Sequence, residues 1–151
     1  MIDRGSTQQF SIKDLEHFSG IKAHTIRVWE QRYALLCPQR SDTNIRHYQS
    51  DDLKKLLNVS FLVEQGMRIS QIAEMSSEMM MKAVGDRQED VGNQVSVFHS
   101  LKLSMLSYDE MLFRQVSAGY FEKNGFERLI LDIYLPFLSQ VGVLWLTNSV
   151  C

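Results

Sequence analysis

One stretch constrains this chain more than any other: Ser19-Gly20-Ile21-Lys22-Ala23-His24-Thr25-Ile26-Arg27-Val28-Trp29-Glu30-Gln31-Arg32-Tyr33. Gly20 can take the positive φ of a tight turn, so the residues on either side read as two helices. Ser11-Ile12-Lys13-Asp14-Leu15-Glu16 opens the first, with Ser11 as cap and Asp14 three residues on, a weaker relative of the Glu/Gln capping box. Ile12, Leu15 and Phe18 share its buried face. The second runs from about Lys22 to Tyr33. Ile26, Trp29 and Tyr33 repeat at helical spacing on its inner face, and His24, Arg27 and Gln31 point outward. Two helices joined by a glycine turn, with cations and a hydroxyl on the second, are the geometry that seats a helix in the DNA major groove.

The flanking pattern extends this unit. Cys37-Pro38 closes the helical region, because the residue before proline avoids αR. The polar run 38–48 reads as a β-hairpin wing. Ser50-Asp51-Asp52 opens a third helix with apolar stripe Leu53, Leu56, Leu57, Phe61 and Leu62, and Gly66 stops it. Ile69, Ile72 and Ala73 mark a short fourth helix. The pattern then thins through Met79-Met80-Met81 and the polar, glycine-flanked run 85–92, which reads as a linker. Beyond it come three helical sets: Val95, Phe98, Leu101, Met105; then Leu112, Val116, Tyr120; then Phe126, Leu129, Ile130, Ile133, Phe137, Val141, Leu144, Trp145. Short loops at Ser107-Tyr108-Asp109 and Asn124-Gly125 imply antiparallel neighbours. The fold class expected is mainly α with a small β-hairpin wing. A winged helix-turn-helix over 1–76 is followed by a linker over 77–93 and a partial antiparallel helical bundle over 94–151. Three bundle helices ending on Thr-Asn-Ser-Val-Cys point to the N-terminal piece of a longer protein.

Charge is unevenly placed. Net charge is -2, yet Lys22, Arg27, Arg32, Arg40 and Arg46 face only Glu30 and Asp42 between Ile21 and Tyr48. From Ser77 onward acids outnumber bases, which suggests a basic contact face on one module and a neutral-to-acidic second module. Cys37 and Cys151 make no disulfide framework or metal spacing, and no metal site is expected. No signal peptide is visible, and the apolar runs are broken by Asp132 and Pro136 or too short to span a bilayer. A cytoplasmic protein without membrane contact follows. No nucleophile elbow, phosphate loop or His-Glu-x-x-His appears, so no catalytic residue is assigned and no enzyme is expected.

Thr25-Ile26-Arg27 with the following aromatic and Glu30, then Leu36-x-Pro38-x-Arg40, then Arg46-x-Tyr48 before Asp52-Leu53, resembles the MerR family of winged-helix transcription regulators over roughly Phe10 to Ser76. Val28-Trp29-Glu30-Gln31-Arg32-Tyr33 looks most like its cobalamin-dependent, light-sensing repressor branch. Leu135-Pro136-x-Leu138 and Val141-Gly142-x-x-Trp145 are similar to the bundle that caps cobalamin in those repressors and in methionine synthase. The resemblance gives Trp145 the place of the tryptophan over the upper corrin face. The family's following Glu-His pair and nucleotide-fold domain do not occur in this chain. The resemblance therefore implies no cofactor here, and cobalamin only in a longer protein.

On these grounds Lys22, His24, Thr25 and Arg27 are the candidate DNA contacts of the second helix. Arg40, Arg46, His47 and Tyr48 are those of the wing, on the sugar-phosphate backbone. Trp29 and Tyr33 read as core, and Glu30 as partner of a nearby cation such as Arg46. The partner expected is double-stranded operator DNA, with self-association of two copies on it. The rival readings are a cobalamin-binding sensor module in a longer chain, and a protein-interaction adaptor without a DNA role.

Overall fold

The first helix starts on a closed capping box. Ser11 Oγ accepts the Asp14 amide at 3.2 Å, and Asp14 Oδ2 accepts the Ser11 amide at 2.8 Å. The computed structural model describes residues 8–88 and 93–146; Cys151 lies outside them. The element order is β1 (Gln9–Phe10), α1 (Ile12–Ser19), α2 (Ala23–Tyr33), β2 (Gln39–Arg40), β3 (Arg46–Gln49), α3 (Ser50–Glu64), α4 (Ile69–Ala73), α5 (Ser77–Arg87), α6 (Gln94–Ser107), α7 (Glu110–Asn124) and α8 (Phe126–Leu146).

Gly20 sits at φ 77° and donates its amide to Glu16 O at 2.9 Å, turning the chain from α1 into α2. Helix α2 ends on Ala34, which is left-handed at φ 49° and donates to Glu30 O at 3.0 Å. The Cys37-Pro38 pair lies past that stop. The cap of α3 is Gln49, boxed with Asp52, one residue before the Ser50 expected from sequence.

The wing is a hairpin with Gln39 opposite His47 and Arg40 opposite Arg46. At its turn Asn44 takes φ 62° and donates its amide to Ser41 O at 2.8 Å. A strand not expected from sequence, β1, pairs with the other edge of β3 to give the antiparallel order β1-β3-β2. Two residues carry too little alternation to register as a strand.

The three bundle helices do not close on themselves. One apolar cluster runs from Phe10, Leu15, Phe18, Ile26 and Leu53 into Leu101, Tyr120, Ile133, Val141 and Leu144. Helices α1 and α3 thus supply the wall that α6 to α8 lack. A second cluster joins Leu35, Val59, Phe61, Leu62 and Ile72 to Met80 and Val84 of α5, so the segment expected as linker begins with a packed helix. Trp29 packs against both clusters while only Ile26 of α2 is fully buried; Tyr33 is half-buried.

The last helix runs on through Asp132 and Pro136, as its apolar repeat from Phe126 to Trp145 implies; what is corrected is the expectation that its apolar stretch is too short to span a bilayer. The helix is continuous over 21 residues and, by length and composition alone, long and apolar enough to cross a membrane. Its Leu129, Ile133, Phe137, Val141 and Leu144 face the protein core instead. The proline leaves two marks. Residues Leu129–Tyr134 form a π-helical stretch, with the Leu135 amide reaching five residues back to Ile130 O. Pro136 has no N–H for the Asp132 carbonyl one turn earlier, and Gln94 Nε2 supplies that hydrogen at 2.7 Å from the start of α6.

Candidate nucleic-acid interface

Helix α2 has no side-chain cap from its own N-cap residue, Lys22. The acceptor comes from α1: Glu16 Oε2 takes the Ala23 amide at 2.7 Å. A carboxylate there also suits the positive end of the helix dipole. Glu16 Oε1 stands 4.0 Å from Lys22 Nζ, a loose pair that leaves the lysine side chain 82% exposed. Along the same helix His24 and Arg27 are exposed and Thr25 is half-buried. The bundle packs on α1 and α3 and leaves these side chains open to solvent.

The wing lies beside α2, and a cleft of about 260 Å³ between them is lined by Glu30, Gln31, Leu36, Pro38, Arg40 and Arg46. Arg40 is exposed and donates from Nη1 to Asn44 Oδ1 at 2.7 Å, which ties its guanidinium to the wing turn. His47 is half-buried. Arg46 is also half-buried, with Nε 3.3 Å from Glu30 Oε2, an ion pair without hydrogen-bond alignment. The pairing read for Glu30 from sequence is thus present.

Tyr48 is the exception among the wing residues. It is 0% exposed, and its hydroxyl donates to Glu30 Oε1 at 2.5 Å. Burial, reinforced by the hydrogen bond to Glu30, pushes its phenol well above the usual tyrosine range. The expected phosphate contact is corrected to a strut: with its ring inside the core, Tyr48 ties the wing to α2. The sequence signal was present, since an aromatic directly before a helix start on the inner phase of a strand is usually packed. The capping role of Glu16 gave no such signal. It depends on a side chain reaching across the turn.

Trp145, the candidate cofactor residue, stands 64% exposed near the end of α8.

A family model for the MerR HTH family regulatory protein matches residues 10–79. The chain is 30% identical over 146 residues to the HTH-type transcriptional repressor CarH of Myxococcus xanthus, an alignment covering 90% of this chain and 48% of that protein. It is 28% identical over 99 residues to the HTH-type transcriptional regulator MlrA of Salmonella typhimurium, covering 62% of this chain and 41% of that protein. The chain thus spans about half the length of the curated relatives it matches. The capped turn at Gly20, the open cationic face of α2, the wing tied to it through Glu30 and the match over 10–79 lead to one conclusion: residues 10–79 are a helix-turn-helix domain of the MerR family.

Proposed function

We propose that the protein is a sequence-specific DNA-binding transcriptional regulator, in which residues 1–76 read DNA and residues 94–151 form a helical sensor or effector module. One observation carries this reading: Lys22, His24 and Arg27 stand exposed along α2 with Arg40 exposed on the neighbouring wing. Lys22 and His24, at the start of the helix, reach base edges. Arg27 and Thr25 serve phosphates, and Arg40, Arg46 and His47 hold the backbone beside the groove. Arg46 does so from an anchored position, since its Nε faces Glu30. Domains of this geometry bind two-fold sites, so two copies associate on one operator. Such a regulator works in the cytoplasm, needs no membrane and performs no catalysis. The test is a gel-shift panel on a duplex selected from a random library by the wild type, run beside Arg27→Ala and Arg40→Ala. Equal affinity of all three proteins ends the reading.

A second reading concerns the bundle. Leu131, Leu135, Leu138 and Trp145 recur on one face of α8 and are each more than half exposed. A flat, apolar-faced ring fits such a surface, which supports cobalamin as ligand of a longer parent chain, with Trp145 and Leu138 against the corrin. Mixing the longer protein with adenosylcobalamin and recording its absorbance tests it. A spectrum identical to that of the free cofactor counts against it.

A further inference from the structure

The carbonyl end of α1 is held from outside the helix-turn-helix. Helices leave their last carbonyls without partners, and here two of those in α1 are met by distant side chains. Ser60 Oγ of α3 donates to Ser19 O at 2.9 Å. Lys102 Nζ, on bundle helix α6, donates to Phe18 O at 2.8 Å and lies 5.3 Å from the centre of the Phe18 ring. An ammonium at a helix C-terminus and over an aromatic face is favourable on both counts. The site is mostly buried, and that burial draws the lysine below its usual range.

The next residues form the turn that aims α2. Ser19 Oγ donates to Leu15 O at 2.5 Å and accepts the Ile21 amide at 3.2 Å. Gly20 closes on Glu16 O, and Ala23 on the Glu16 carboxylate. Lys102 is therefore bonded one residue before a turn held by several hydrogen bonds. It joins that turn to a helix 84 residues away in sequence. One turn earlier on α6, His99 makes the parallel attachment to α3. Its Nε2 is 2.9 Å from Asn58 Oδ1, and its ring stacks on Phe61 at 4.6 Å.

We infer that Lys102 is a positioning residue for DNA recognition: by holding Phe18 O it fixes the angle at which α1 presents α2, and it couples the bundle to the reading helix. The inference rests on the DNA-binding reading above. Lys102 touches no part of the exposed α2 face, so its loss alters operator affinity without altering the number of phosphates neutralised. Coupling between sites of this kind is typically worth about five- to 150-fold in affinity.

The experiment measures operator affinity of the full chain by fluorescence anisotropy as a function of salt, at a temperature where circular dichroism shows each variant folded. Lys102→Met is expected to bind roughly ten-fold more weakly with an unchanged log–log salt slope. Lys102→Arg, which keeps a cationic donor, is expected to recover most of the loss. If Lys102→Met does not fold, Lys102→Gln, a shorter neutral side chain, is measured in its place with the same expectation. Wild-type affinity in the folded variant, or a salt slope reduced by about one contact, overturns the inference while leaving the DNA-binding reading intact. If the wild type selects no duplex at all, the DNA-binding reading itself fails.

Discussion

The hydroxyl of Tyr48 on β3 donates to Glu30 on α2 at 2.5 Å, and Glu30 in turn faces Arg46 two residues before Tyr48 at 3.3 Å. The Glu30 side chain is 8% exposed. A carboxylate so shielded is tolerable only while both partners remain, because an ion stripped of water and left unpaired is costly. Helix α2 and the wing are thereby held as one unit.

Tyr48→Phe removes only the hydroxyl and leaves Glu30 with Arg46 alone. A loss of about 1.5–3 kcal/mol in folding free energy is expected, the range for hydrogen bonds to charged groups. Urea denaturation of the variant beside the wild type measures it, and a change below about 0.5 kcal/mol contradicts the strut role.

The phosphate assignments predict salt behaviour. Arg27→Ala and Arg40→Ala should each lower the log–log salt slope of operator binding by about 0.9, the value for one phosphate contact on duplex DNA. A slope that stays at the wild-type value in either variant removes that residue from the contact set.

His99 predicts an acid limit. Burial, with the Lys102 charge nearby, draws its imidazole down to about 4 from 6.5. The folded state thus favours the neutral ring, so the unfolded chain takes up the proton first as pH falls. The contribution is fully present above 6.5 and is lost progressively from there down to about 4. Over that window the wild type should lose on the order of 3 kcal/mol more than His99→Asn. Denaturation midpoints at several pH values give the difference, and parallel pH profiles for the two proteins are inconsistent with it.

The proline and Gln94 should be coupled. Gln94→Ala leaves the Asp132 carbonyl without its donor and should cost about 0.5–1.5 kcal/mol. In a Pro136→Ala background a backbone N–H returns to serve that carbonyl, and the same Gln94→Ala change should cost less than half as much. A double-mutant cycle reads this directly, and additive effects refute the relationship.

The two tryptophans should behave oppositely. Trp29 bridges both apolar clusters, so Trp29→Ala should cost roughly 3–5 kcal/mol. Trp145 is 64% exposed, and its truncation should stay within about 0.5 kcal/mol. Thermal denaturation ranks them, and a Trp145→Ala loss comparable to that of Trp29→Ala is the outcome that contradicts this assignment.

Local patterns were legible without coordinates. The Ser11 and Asp14 box, the Gly20 turn, the α2 span and the buried stripe Leu53, Leu56, Leu57, Phe61 and Leu62 each depend on neighbours within a turn or two. Their energetics are already contained in a short window of sequence. The outward phase of Lys22, His24 and Arg27 belongs with them, because helical periodicity fixes it once Ile26 is inside.

What the tertiary structure decided lies between segments far apart in the chain. Trp145 has an apolar spacing that suits a core, yet it is exposed, because the described neighbours of α8 cover only one side of that helix. Tyr48 reads as a backbone contact until Glu30 is found 18 residues away at its hydroxyl. Nothing in the sequence around Lys102 points to Phe18 O, which its Nζ meets at 2.8 Å. Periodicity fixes which way a side chain faces, but only the packing of distant helices determines whether water, a carboxylate or an orphan carbonyl is waiting there.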